Sequence, residues 1–185
     1  MSRYTNFAVV GAGTLGNFIV QQLLKDKAAG IVKEVVVLTR QVWCSSNIYV
    51  IRDIAEYPWL DTKGSKTTVQ GDAKVVQVDY SKDESIKRAL AGVEVVISTI
   101  SGEALDVQHK IAAASKEANV KLFIPSEFGN VTEGETEGIF GAKANIQTQL
   151  KALGISCVVF YTGPFADYVW APYVRFLFLP ALPPS

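Results

Sequence analysis

Three glycines, Gly11, Gly13 and Gly16, follow the apolar run Phe7-Ala8-Val9-Val10, and Leu15, Ile19 and Leu23 then recur at helical spacing. A strand, a tight turn and a helix have this pattern. The chemistry that needs it is phosphate binding. Gly11 permits the turn, Gly13 lets backbone come close to a pyrophosphate, and Gly16 lets the helix pack on the strand, so that free N–H groups and the positive dipole end face the anion. Gly-x-Gly-x-x-Gly alone is a weak signal, and a purely structural glycine turn is the alternative. The flanking strand and helix favour a dinucleotide site, with Thr14 and Leu15 inside the motif as further cofactor-binding candidates.

A second candidate closes the run Glu34-Val35-Val36-Val37-Leu38-Thr39-Arg40. An acidic residue at this place in a dinucleotide fold takes the ribose 2′-OH, whereas an arginine accommodates a 2′-phosphate. Arg40 therefore predicts NADP(H) in preference to NAD(H). A charge-assisted hydrogen bond is worth roughly 1.5–3 kcal/mol, or about ten- to a hundredfold in affinity, enough to set the preference. A solvated strand-end arginine is the alternative. The single histidine, His109, falls in mid-helix and is given no catalytic role. Without a second histidine or a Cys or carboxylate cluster at ligand spacing, no metal site is expected.

The elements that must hold these residues alternate. After the first helix and the strand ending at Arg40, Lys74-Val75-Val76-Gln77-Val78-Asp79-Tyr80 reads as a third strand. Ser81-Lys82-Asp83-Glu84 is a capping box for a helix ending at Gly92. Val93-Glu94-Val95-Val96-Ile97-Ser98 is a fourth strand, and Ser98 and Thr99 lie at its carboxyl end, where ligands sit in such sheets. A helix over 103–119, a fifth strand Lys121-Leu122-Phe123-Ile124-Pro125, a polar loop over 130–138, a helix over 141–153 and a sixth strand, Ile155 to Tyr161, complete the pattern. The expectation is an α/β fold, a doubly wound parallel sheet of Rossmann type with strand order 3-2-1-4-5-6, over residues 1–172. Residues 41–73 break the pattern. They are aromatic and β-branched and then polar, too long and apolar for a plain loop. An irregular helix, an insertion and sequence foreign to the mature fold all stay open.

At 185 residues the chain holds one domain of ordinary size, and 49% apolar residues suit a buried sheet. Eighteen basic residues balance eighteen acidic ones, so no net field recruits nucleic acid or an anionic membrane, and no apolar run reaches spanning length. Two cysteines, Cys44 and Cys157, make no disulfide framework, and no secretory leader opens the chain, so a reduced, cytoplasmic protein is expected.

Several of these segments, with Gln108, Pro125-Ser126-Glu127-Phe128-Gly129, Lys143 and Tyr161-Thr162-Gly163-Pro164-Phe165, resemble the NmrA-like and isoflavone-reductase-like atypical short-chain dehydrogenases, especially fungal members. The resemblance covers most of residues 5–172, and the Pro-Ser-Glu-Phe-Gly turn is its most specific part. It implies an NADPH fold with a substrate cleft between the sheet and a smaller carboxyl-terminal region. It also implies that Lys143 is the general acid/base and touches the nicotinamide ribose, and that Ser126, Glu127 and Phe128 lie beside the nicotinamide. A solvated helix lysine, or a contact to cofactor alone, is the other reading of Lys143.

Three features depart from the family pattern. Ile139 stands where an ordinary short-chain dehydrogenase has its tyrosine base, four residues before the lysine. Ala144-Asn145-Ile146-Gln147-Thr148-Gln149-Leu150 replaces the Arg-Arg and Glu pattern of the reductases. The chain also ends where a substrate region would begin, in the apolar tail 173–185, which has the look of translated intron; a truncated form of a longer protein is expected, a short paralogue with a packed tail being the alternative. Two functions follow. One is an NADPH-dependent reductase of a small organic substrate. The other is a non-catalytic nucleotide-sensing regulator acting through a protein partner, or an inactive cofactor-binding fragment.

Overall fold

The computed structural model describes residues 4–40, 42–45, 48–52 and 66–165. Its main sheet contains β1 (Asn6–Val10), β2 (Glu34–Thr39), β6 (Lys74–Gln77), β7 (Val95–Ser98), β8 (Leu122–Ile124) and β9 (Ser156–Cys157). All pair in parallel, in the order β6-β2-β1-β7-β8-β9. Counting these six strands along the chain, the order is 3-2-1-4-5-6, as the sequence pattern predicts. Helices α1 (Thr14–Ala28), α2 (Asp83–Ala89), α3 (Val107–Glu117) and α4 (Gly138–Ala152) flank it.

The uninterrupted apolar run of β2 has a direct cause. Val36 and Leu38 join a core shared with Ile86 of α2, Ile111 of α3 and Ile146 and Leu150 of α4, whereas Val35 and Val37 join Val20 and Leu23 of α1 on the other face. Fully burying one such side chain is worth about 1.5–3 kcal/mol, so both faces of β2 must be apolar.

Where the fold departs from the sequence pattern, local chemistry explains it. No crossover helix joins β2 to β6 in the described residues. Strands β3 (Val42–Ser45), β4 (Ile48–Arg52) and β5 (Lys66–Gln70) form an antiparallel sheet instead, with β5 against α1. The described parts of residues 41–73 are strands and not a helix; residues 53–65 and the tail 173–185 lie outside the described residues. The capping box at Ser81 is not formed. Helix α2 begins after Lys82 without a side-chain cap, and the Ser81 hydroxyl and N–H both donate to Asp79 Oδ1, at 2.6 and 3.0 Å. The nearer carboxylate outcompetes the helix amide, and these bonds hold the Asp79 carboxyl at about 2. Strand β9 is only two residues long because its partner β8 stops before Pro125, which has no N–H to continue the ladder.

Two side chains fasten the sheet's edges. Lys27 of α1 pairs with Asp72, in the turn before β6, at 2.7 Å. Glu94, just before β7, accepts the backbone N–H of Thr5 (2.7 Å) and of Asn6 (3.1 Å). Those two bonds, Thr5 first, hold its carboxyl below the ordinary 4.5. A depressed carboxyl stabilises fully above its unfolded value and loses the contribution as pH falls through the folded value. Glu94→Gln is therefore expected to lower the thermal midpoint at pH 7 and to match the wild type in acid below the folded value. Equal midpoints at pH 7 would contradict this role.

Candidate functional site

The carboxyl ends of β1, β2, β7 and β8 gather the candidate residues along one edge. Gly11 leaves β1 with φ +84°, a left-handed conformation that glycine adopts without strain, and its N–H donates to Leu38 O of β2 at 3.3 Å. Helix α1 starts after Gly13 with no side-chain cap and no acidic residue in its first turn. Its first N–H groups have no intrahelical partner. At Gly16 a Cβ would fall well inside contact with the Gly11 carbonyl and 2.5 Å from Thr99 Oγ1. That closeness brings the helix end onto the strand and leaves a cradle of backbone, which fits a pyrophosphate. Thr14 is exposed and Leu15 partly exposed at this helix end.

Ser98 and Thr99 lie at the carboxyl end of β7, where the sequence places them. The Thr99 hydroxyl donates to Gly11 O at 2.5 Å, so it holds the glycine turn. Ser98 is fully buried in β7, and its hydroxyl has no hydrogen-bond partner among the described residues. Arg40 is exposed immediately after β2, with no partner for its guanidinium among the described residues.

The turn 125–129 forms the other end of the site. Ser126 donates its hydroxyl to Ile100 O at 2.6 Å, and its N–H to Oε1 of the buried Gln108 at 2.9 Å. Ser126 thus ties the turn to the loop after β7 and to α3. Phe128 stacks on Phe160, with ring centroids 6.2 Å apart and planes 3° from parallel. Glu127 is 1% exposed. Its carboxylate accepts from Thr132 Oγ1 at 3.0 Å and from Gln147 Nε2 at 2.7 Å, and its backbone oxygen accepts from Lys143 Nζ at 2.9 Å. Lys143 is half-buried, and that desolvation lowers its pKa against the smaller upward pull of Glu127.

Helix α4 can present Lys143 here because Gly141 passes close to the backbone of Thr136, where a Cβ would sit 2.6 Å from the Thr136 oxygen. The helix begins at Gly138, three residues ahead of the start at 141 that the sequence suggests. Sequence reasoning gave no role to Thr132 or Gln147. Their only signal was the spacing of Gln147, one helical turn after Lys143. His109 lies apart from this cluster and faces Gln149 of α4 through Nδ1.

A glycine-turned β–α–β entry, a six-stranded parallel sheet in the order 3-2-1-4-5-6 and an uncapped first helix define a dinucleotide-binding fold of the Rossmann type. The NmrA-like family model matches residues 5–177, and the chain belongs to that family. Among curated relatives, phenylcoumaran benzylic ether reductase POP1 of Populus trichocarpa is 38% identical over 96 residues, 49% of this chain and 31% of the relative. An isoflavone reductase homolog of Solanum tuberosum is 40% identical over 99 residues, 50% of this chain and 32% of the relative. Among solved structures, AtPrR2 with NADP+ and (+)pinoresinol is similar at TM-score 0.64 and 29% identity, over 91% of this chain and 53% of that one. The leucoanthocyanidin reductase–NADPH complex from Vitis vinifera shares the fold at TM-score 0.62 and 19% identity, over 97% of this chain and 52% of that one. The chain thus matches about a third of the length of these curated relatives and about half of each solved chain.

Gly16→Ala places a methyl group against the Gly11 carbonyl and Thr99. It is expected to lower the thermal midpoint and abolish dinucleotide binding together, read by differential scanning fluorimetry with and without nucleotide. An unchanged midpoint and affinity would show that the close approach is not required.

Proposed function

We propose that the protein is an NADPH-dependent reductase of a small organic substrate, with Lys143 as its acid/base. The observation that carries this reading is the placement of Lys143, half-buried on α4 and hydrogen-bonded to the turn 125–129 at the same sheet edge as the glycine cradle. The cradle of Gly11, Gly13 and Gly16, with Thr14 and Leu15, would hold the pyrophosphate on backbone N–H groups. Arg40, exposed at the end of the neighbouring strand, would hold a 2′-phosphate and favour NADP(H) over NAD(H). The cofactor supplies a hydride when bound. Lys143, its pKa lowered by desolvation, manages the proton at Nζ. Phe128 and Phe160 form an aromatic wall beside it, Phe160 being 47% exposed, which suits an aromatic or phenolic substrate. The curated relatives are reductases and a solved relative holds NADP+, which supports the same reading.

Ile139 favours a second reading, a nucleotide-sensing regulator that acts through a protein partner. It is 46% exposed, carries no acid or base, and adjoins the exposed Phe140. Turnover separates the two. Lys143→Ala is expected to cut substrate-dependent NADPH oxidation by about 10²–10⁴-fold while NADPH binding stays within a few-fold. Nucleotide binding without turnover across a carbonyl and enol-ether panel would favour the regulator.

Arg40 is tested separately. Arg40→Ala is expected to reduce the NADPH-to-NADH affinity ratio by about ten- to a hundredfold. An unchanged ratio in a fluorescence titration would remove the assignment.

A further inference from the structure

We propose that Glu127 is the positioning residue for Lys143, fixing both where the ammonium sits and the charge it faces. The proposal deepens the reductase reading and takes from it only that Lys143 is the acid/base.

Glu127 uses two parts of itself on one helix face. Its backbone oxygen accepts from Lys143 Nζ, and its Oε1 accepts from Gln147 Nε2, one turn further along α4. Residues at i and i+4 lie on the same side of a helix, so these two bonds fix the rotation and the height of α4 against the turn. The carboxylate is itself immobilised. Thr132 Oγ1, fully buried in the 130–138 loop, donates to Oε2, and Gln147 Nε2 also reaches Thr132 Oγ1 and the Tyr161 hydroxyl, each at 3.1 Å. The turn is held from beneath by the Glu127 N–H, which donates to Pro125 O at 2.8 Å.

Glu127 makes no ion pair among the described residues, and both of its carboxylate donors are uncharged. A buried carboxylate without a paired cation projects its field onto whatever ionisable groups lie nearby. Those groups are Lys143 from α4 and Cys157 from β9; from the 130–138 loop the Thr132 hydroxyl reaches the carboxylate. Burial pulls the Lys143 pKa down and Glu127 pulls it up. Burial pushes the Cys157 thiol up, Glu127 pushes it further, and Lys151 opposes both. A single carboxylate is therefore felt by two titrating groups on two different elements.

That gives a test whose sign separates positioning from mere folding. The pH dependence of acetic anhydride labelling at Lys143 and of iodoacetamide labelling at Cys157 is followed by peptide mass spectrometry in the full chain without substrate. In Glu127→Gln the opposing negative charge is gone. Both groups are expected to titrate at lower pH than in the wild type. A purely structural role, lost with local unfolding, would instead carry Lys143 upward toward the ordinary 10.5 while Cys157 fell toward 9.0. An upward or absent Lys143 shift overturns the proposal. Glu127→Asp, which keeps the charge, is expected to restore the Lys143 titration at least in part. Should Glu127→Gln fail to fold, Glu127→Asp carries the test alone, since it keeps the charge but draws it back by one methylene: Lys143 is expected to titrate at or below its wild-type position, and an upward shift overturns the proposal. Because labelling needs no substrate, a downward shift in a chain that never turns over would leave this inference standing and remove the reductase reading.

Discussion

Helix α1 can begin at the end of β1 only because position 16 carries no side chain. A Cβ there would collide with the Gly11 carbonyl, and the Thr99 hydroxyl already fills the remaining space by donating to that same oxygen. The contact links three elements, since Gly11 also donates to Leu38 O of β2 and Thr99 follows β7. It fixes the uncapped helix end at the middle of the sheet edge. The positions of the other candidates follow from this point, since β2 delivers Arg40 on one side and β7 and β8 lead to the turn 125–129 on the other.

The two ends of the site are built on different physical terms. At the α1 end the candidate groups are backbone N–H groups and an exposed guanidinium, without side-chain partners among the described residues. At the Lys143 end nearly every polar atom is committed. Ser126 is spent on Ile100 and Gln108, and Glu127 on Thr132, Gln147 and Lys143, while Lys143 and the aromatic pair Phe128–Phe160 keep part of their surface exposed. A satisfied network of this kind is rigid.

Much of this was legible in the sequence because the signals were local. The apolar runs of β1, β2 and β7 and the spacing of Leu15, Ile19 and Leu23 fix the alternating order, and the alternation fixes the strand order of the parallel sheet. The glycine motif predicts a close approach, and one is found at Gly16. The misses depend on contacts distant in sequence or on competition between neighbours. Ser81 fits a capping box, but Asp79 two residues away binds it more strongly. Strand β3 pairs with β4 and β4 with β5, and the long separation between β4 and β5 hides that pairing from any periodicity. Side-chain direction was the least legible. No motif announces that Ser98, at the carboxyl end of β7, is buried in the sheet, or that the Thr99 hydroxyl holds the glycine turn. Glu127 belongs to a turn that the resemblance places at the nicotinamide, while its carboxylate points into a network with Gln147 that no motif announces.

The central claim is that the glycine edge of this sheet holds a phosphorylated dinucleotide, and calorimetric titration of the full chain with NADPH and then NADH tests it most directly. The account predicts one NADPH per chain and weaker binding of NADH under the same salt. No binding of either nucleotide by a folded chain, or tighter binding of NADH, would contradict it.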